Sequence, residues 1–340
     1  MKILILRFSA IGDIVLTSPV IRCLAEQQQA DIHYATKSAF AAIPAQHPAI
    51  TKVFALGEPA ENRSEKVQYH PSMTGLLALL KKEKYDYIVD LHHNLRTLQI
   101  KTALGIRSSS FDKLNLKKWL LVNTGINQLP DRHIVHRYMD TVRSLRIQYD
   151  GKGLDFYMPA HTAQEVNTFL AQEHPSLSTT PFIAFVIGAT HFTKRLPEEK
   201  IIHLCRKIQQ PVVLLGGKAE METGVRVAAA AGEQVVNLCG ALSLFGSAEM
   251  VRRSAMVITH DTGLMHIAAA FQKKIIAIWG NTVPAFGMYP FYPEGKEAYT
   301  NAEVMGLACR PCSKIGYAQC PKGHFKCMNN IDLAQILEQI

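Results

Sequence analysis

Apolar and polar positions alternate along this chain in blocks. Short apolar runs, many of them β-branched, are each followed by a polar turn and then by apolar residues at helical spacing. Such runs read as strands buried on both faces, and their alternation with helices predicts a parallel sheet wrapped by helices. The first strand is expected over residues 2–8 and its helix over 14–24. Strands over 32–36, 52–56 and 85–91 follow, with helices over 38–46, 73–84 and 133–146, and residues 57–71 read as a surface loop. A second alternation places strands over 182–188, 211–217, 235–238, 255–259 and 273–280. Its helices start at Pro197, span 219–231 and 244–253, and open again at Gly263, before a short closing helix over 331–340. The pattern predicts an α/β chain of two doubly wound, Rossmann-like domains. Residues 1–160 form the first, 161–180 a linker with a helix near 163–173, and 181–340 the second. The carboxyl ends of the two sets of strands are expected to line a cleft.

In open α/β sheets ligands bind where strands end and helices begin, so the turns carry the candidate chemistry. After the first strand comes Ser9-Ala10-Ile11-Gly12-Asp13. This is not the GxGxxG fingerprint, which disfavours a dinucleotide-dependent dehydrogenase. Gly12 allows close approach of a ligand, and Asp13 is either a helix cap or a carboxylate facing the cleft. In the second domain Thr190 and Lys194 suit a diphosphate, by hydroxyl and point charge, and Glu220 suits ribose hydroxyls. Asp261-Thr262-Gly263 opens a helix whose backbone N–H groups and dipole favour an anion; capping alone is the competing reading. His92 and His93 read as polar wall, since adjacent residues rarely chelate one ion.

Composition narrows the partners. With 48% hydrophobic and 19% charged residues the chain is globular. No apolar run is long enough to span a bilayer, and the start lacks a signal-peptide pattern. A formal net charge of +9 points to an anionic partner. No nucleic-acid-binding module is visible. Residues 96–118 gather Arg96, Lys101, Arg107 and Lys113 among apolar positions, with Asp112 the one acid, which suits a phosphorylated or membrane-held partner. Cys309, Cys312, Cys320 and Cys327, in the segment 309–327, could form a structural zinc site, but the wide second spacing favours free thiols.

Three stretches together carry a family resemblance: Arg7-Phe8-Ser9-Ala10-Ile11-Gly12-Asp13-Ile14, Thr193-Lys194-Arg195-Leu196-Pro197, and Asp261-Thr262-Gly263-Leu264-Met265-His266-Ile267-Ala268-Ala269-Ala270. The chain resembles the ADP-heptose:lipopolysaccharide heptosyltransferases, glycosyltransferase family 9, over nearly its whole length. The resemblance implies the GT-B fold and inverting, metal-independent transfer of heptose from ADP-L-glycero-D-manno-heptose to the lipopolysaccharide inner core. Asp13 would be the general base. Gly12, Thr190, Lys194, Glu220, Leu242, Asp261, Thr262, Gly263 and His266 would bind the donor, with Leu242 in the adenine pocket. The basic residues Arg96, Lys101, Arg107 and Lys113 would meet the lipid A-core acceptor. The implied setting is cytoplasmic, peripheral to the inner membrane and in contact with its anionic surface, with no cofactor required. Leu196 departs from the family, where Trp is common, and Glu222 lies two residues from Glu220. An enzyme of the same fold using another nucleotide sugar, and a catalytically silent binding relative, are the alternatives.

Overall fold

Strands form where apolar side chains can be buried on both faces, and the two central strands show this most clearly. The computed structural model describes residues 1–59 and 64–340, so part of the expected loop over 57–71 lies outside the described residues. Contacts divide the chain into two units: Met1–Lys113 with Arg132–Met158, and Leu114–Asp131 with Pro159–Ile340.

In the first unit β1 (Lys2–Leu6) is buried beyond Lys2. The helix expected over 14–24 is two helices, α1 (Ile11–Val15) and α2 (Ser18–Gln28). Pro19 has no N–H with which to continue the first, and it suits the first turn of the second. There follow β2 (Asp31–Lys37), α3 (Ala42–Gln46), β3 (Ile50–Leu56), β4 (Val67–His70), α4 (Met73–Lys82), β5 (Tyr87–Asp90), α5 (Leu95–Leu104) and β6 (Ser108–Ser110). Next in the chain, α6 (Asn115–Thr124) groups with the second unit. The sequence assigns 114–131 to the first domain. The segment clusters with the second unit because Lys118 Nζ lies 5.8 Å over the Phe286 ring and Lys314 Nζ approaches Asn115 Oδ1 at 3.5 Å. The helix expected over 133–146 is α-helical only as α7 (Ile134–Met139) and tightens to a 3-10 turn over Asp140–Leu145.

The second unit continues with α8 (Thr162–Glu173), which occupies much of the expected linker and packs on a later helix of the unit. It is followed by β7 (Ile183–Val186), α9 (Glu198–Lys207), β8 (Val212–Leu215), α10 (Met221–Ala231), β9 (Val235–Asn237), α11 (Leu244–Arg253), β10 (Met256–His260), α12 (Gly263–Ala270), β11 (Lys274–Trp279), β12 (Tyr299–Glu303), α13 (Lys326–Asn329) and α14 (Leu333–Leu337). The helix packing onto α8 is α11. Among the described residues no helix is long and apolar enough to cross a membrane.

Each unit carries a six-stranded parallel sheet among the described residues, in the orders β4-β3-β2-β1-β5-β6 and β12-β11-β10-β7-β8-β9. Strand order reverses between β1 and β5 in the first and between β7 and β10 in the second. These reversals are where the turns on either side diverge and open a crevice for a ligand. The first core gathers Leu4, Leu6, Phe54, Leu76, Leu80 and Ile88. The second gathers Phe185, Leu214, Ile258 and Ile276, closed by Met328 and Ile336 of the last helices.

Candidate active site

At the reversal of the first sheet, β1 runs into Arg7 and then into the short helix that carries Asp13. Arg7 is buried, and its guanidinium is pinned by the chain around it. Nε donates to Ser9 O at 2.7 Å, and Nη1 donates to Leu91 O at 2.6 Å and to Tyr138 Oη at 2.9 Å. Its remaining nitrogen, Nη2, lies 2.7 Å from Asp13 Oδ1, while Ala10 N donates to Asp13 Oδ2 at 3.2 Å. Burial disfavours charge on Arg7, but Asp13 together with the Tyr138 and Tyr34 phenols outweighs this and holds its pKa above the usual value. The Asp13 side chain keeps 22% of its surface in solvent. Its carboxylate is therefore both oriented and reachable. Gly12, beside it in α1, is half-buried.

His92 follows β5. Burial, the Arg7 guanidinium and the Lys113 ammonium push its pKa down to about 4, against the opposing pull of Asp13 and Asp90. It is a neutral imidazole at neutral pH. Of the basic residues, Arg96 lies with its guanidinium carbon 5.2 Å over the Phe8 ring. Lys101 is committed elsewhere: Nζ sits 2.9 Å from Oδ2 of the fully buried Asp90 and donates to Ser110 Oγ at 2.6 Å. Lys113 is half-buried near His92, and Arg107 is exposed. The structure thus draws Arg96 and Lys113 towards the Asp13 turn and turns Lys101 into an internal ion pair.

At the reversal of the second sheet, Lys194 Nζ lies 2.6 Å from Asp261 Oδ2 and 3.4 Å from Asp261 O. Thr282 Oγ1 donates to the same Oδ2 at 2.9 Å. Burial works against the Asp261 charge. The Lys194 ammonium, its hydrogen bond and that from Thr282 outweigh burial and hold the carboxyl below the usual carboxylate range. The turn carrying Lys194 is stitched in place: Thr193 Oγ1 donates to Asn281 Oδ1 at 3.0 Å, and Tyr317 N donates to Thr193 Oγ1 at 2.9 Å. A side chain at Gly280 would put its Cβ 2.4 Å from Thr193 O, so only glycine lets the end of β11 approach this turn.

Asp261-Thr262-Gly263 leads into α12. Thr262 has extended N-cap geometry, but its hydroxyl lies 3.4 Å from that of Thr259 and makes no capping bond. The first-turn N–H groups of α12 are thereby left for an anion. His266, one turn on, is buried and close enough to support the Asp261 charge. Behind the turn, His260 Nε2 accepts from Leu196 N at 2.9 Å, and burial pushes this imidazole down to about 4. Leu196 itself lies in the core of the unit. The position where the resemblance implies Trp is therefore a packing position.

Glu220 is buried, with Oε2 accepting from Gly217 N at 2.9 Å and Oε1 3.1 Å from Arg195 Nη2. Gly188 and Gly216 leave the room it occupies: a Cβ at either would come within 2.9 Å and 2.8 Å of its side chain. Glu222 is exposed on α10, Thr190 is exposed after β7, and Leu242 is half-buried before α11. The sequence reasoning missed Arg7, Tyr138, Arg195 and Thr282. Arg7 stands in the quoted first motif, so a cation six residues before the acid was the available signal. The hydroxyls of Tyr138 and Thr282 come from distant parts of the sequence and left none.

The cysteine segment is anchored by Arg310, between Cys309 and Cys312. Its guanidinium donates to Gly280 O at 2.7 Å and Thr282 O at 2.8 Å and pairs with Glu303 at 2.7 Å. Cys309 Sγ is 3.8 Å from His324 Nε2. Burial, with the other thiols adding, raises Cys327 to about 11 and raises Cys312. Among the described residues no group of three or more His, Cys, Asp or Glu side chains is placed to hold a metal ion.

The sequence profile described as glycosyltransferase family 9 (heptosyltransferase) matches residues 73–320. Lipopolysaccharide heptosyltransferase 1 of Pseudomonas aeruginosa is 26% identical over 336 residues, covering 92% of this chain and 86% of that protein. Among solved structures, E. coli ADP-heptose lps heptosyltransferase II superposes with a TM-score of 0.69 at 19% identity, covering 100% of this chain and 97% of the other. E. coli heptosyltransferase WaaC with ADP-2-deoxy-2-fluoro heptose does so with a TM-score of 0.65 at 19% identity, covering 100% and 99%.

Proposed function

The chain belongs to glycosyltransferase family 9 and has its GT-B fold, and from that premise we propose that it transfers heptose from ADP-heptose to the inner core of lipopolysaccharide. The observation that carries the reading is the Lys194–Asp261 pair at the strand-order reversal, beside the uncapped start of α12. A lysine and a helix N-terminus together suit a nucleotide diphosphate. The names of the relatives supply the heptose and the acceptor.

The reaction is a single displacement. The acceptor hydroxyl loses its proton to the Asp13 carboxylate as its oxygen bonds the anomeric carbon. The bond from that carbon to the diphosphate oxygen breaks, and ADP leaves with the electron pair. Attack opposite the leaving group inverts the anomeric centre. Arg7 holds the Asp13 carboxylate in one orientation throughout. Lys194 and the first N–H groups of α12 take the growing charge on the diphosphate, as an oxyanion site does, so no metal is needed. Asp261 orients the donor sugar, Thr190 and His266 flank the diphosphate, and Glu220 and Leu242 lie at the nucleoside end. Arg96 and Lys113 meet the acceptor's phosphates. The acceptor is held in a lipid leaflet, so the enzyme works at the cytoplasmic side of the inner membrane, in peripheral contact with it.

The test is a transfer and binding screen with ADP-heptose, other ADP-sugars, UDP-sugars and GDP-sugars, with and without a chelator. Selective binding and turnover of ADP-heptose, unchanged by the chelator, is expected. Preference for a UDP- or GDP-sugar overturns the donor, and loss of turnover on chelation overturns the metal-free mechanism.

A further inference from the structure

We propose that α6 is the element by which this protein rests on a bilayer, its outer face lying in the headgroup region of an anionic leaflet. The inference deepens the peripheral-membrane reading above and rests on it.

The helix is ten residues long, about 15 Å, too short to cross a membrane but long enough to lie along one. Its inner face carries buried Leu121, and the helix is tied to its own unit through Lys118, whose ammonium lies over Phe286. The outer face presents Leu116, 71% exposed, and Trp119, 57% exposed. Three residues apart, they lie side by side on the helix. Ile126, 54% exposed, follows just beyond the glycine that ends the helix. Large exposed apolar side chains grouped on one face, unlike single scattered ones, mark a surface that meets a partner or a membrane.

Charge names the cover. Lys117 is exposed next to Leu116, and Lys113 lies just before the helix. No acidic residue occurs from Lys113 to Pro130. A tryptophan, a leucine and an isoleucine beside lysines match the two layers of a bilayer surface: rings and methyls enter the acyl boundary, while ammonium groups meet anionic headgroups. A protein partner would need an acidic rim around an apolar pocket. An anionic leaflet offers both across its whole area, and an acceptor anchored in that leaflet brings the enzyme there.

The chain holds only two tryptophans, Trp119 and Trp279. Trp279 is 1% exposed and its Nε1 donates to Asn301 Oδ1 at 2.8 Å, so its emission stays constant. Tryptophan emission of the full chain therefore reports on α6. It is titrated with vesicles of phosphatidylglycerol and phosphatidylethanolamine, and in parallel with phosphatidylcholine vesicles. The anionic vesicles should shift the emission to the blue, and brominated acyl chains should quench it, with little change from phosphatidylcholine. Trp119→Phe should lose the signal yet still sediment with anionic vesicles. Leu116→Ser combined with Trp119→Ser should lower partitioning about tenfold or more, and Lys117→Glu should lower it less. Both variants should keep the wild-type melting midpoint and turnover on a detergent-dispersed acceptor.

Sedimentation of the wild-type chain with anionic vesicles while Trp119 stays water-exposed would overturn the role of α6 and leave the peripheral-membrane reading standing. No sedimentation at low salt would overturn both. Concentration-dependent self-association abolished by the serine variants would make this face an interface between copies, and the proposal would fall.

Discussion

At the reversal of the first sheet an aspartate is held by an arginine; at the reversal of the second it is held by a lysine. The two pairs occupy equivalent places in the topology, at the strand-order reversals: after the central strand β1 in one case and between the turns after β7 and β10 in the other. Their cations are built differently. Arg7 bonds to Ser9 O, Leu91 O and Tyr138 Oη as well as to Asp13, so it cannot follow a ligand. Lys194 meets Asp261 through two oxygens of one residue, and an ammonium has three donors on a flexible stem. It can keep Asp261 and still take a phosphate oxygen. The carboxylates differ in the opposite sense: Asp13 is the more open and Asp261 the more enclosed, at 22% and 12% side-chain exposure. A fixed cation presenting an open carboxylate suits proton transfer. An adaptable cation beside an enclosed carboxylate suits anion binding. The lesson is that an ion pair's use is read from what else its cation holds.

The widest separation between the two sites should come from Asp13→Asn. Losing a positioned base costs about 10²–10⁴-fold in turnover, and initial-rate assays on purified chain should show that loss. Lys194→Ala should act next, weakening ADP-heptose binding by about tenfold to a hundredfold, the worth of one charged hydrogen bond. An unchanged donor dissociation constant would remove Lys194 from the diphosphate. Arg7→Met should lower kcat by roughly tenfold to a hundredfold through misplacement of the carboxylate while the donor KM stays put. If KM rises and kcat holds, Arg7 serves the wrong site in this comparison.

The smallest effect is on stability against pH. His260 is neutral in the folded chain down to about pH 4, whereas an unfolded histidine takes a proton near pH 6.5. Stability is thus full above that pH and falls as pH drops towards 4, by about 3 kcal/mol from this one group. Asp261, held below its ordinary range, adds stability that is present above about pH 3.9 and lost only as pH falls through its lower folded value. Urea midpoints measured from pH 7 to 4 should decline, and His260→Gln should flatten the slope.

Much of this was legible from residue pattern. Parallel strands buried on both faces write continuous apolar runs, so β1, β7, β10 and β11 stand where the runs predict them. Short edge strands do not. β6 is Ser108–Ser110, three serines with no apolar signal, and β12, Tyr299–Glu303, is half polar. The polar turns pointed to Lys194 and Asp261, and the structure brings the two into contact. They could not reveal that Lys101 is drawn inside by Asp90, because exposure of a lysine depends on a partner eleven residues away folding beneath it. Nor could they show that α6 groups with the second unit, since its tie to Phe286 spans distant sequence.

The division between the two pairs is best tested by titrating ADP-heptose calorimetrically into Asp13→Asn and Lys194→Ala, side by side with the wild-type chain. Asp13→Asn should bind the donor as the wild type does, and Lys194→Ala should bind it at least about tenfold more weakly. Donor affinity lost in Asp13→Asn and kept in Lys194→Ala would contradict the assignment of proton transfer to one pair and donor binding to the other.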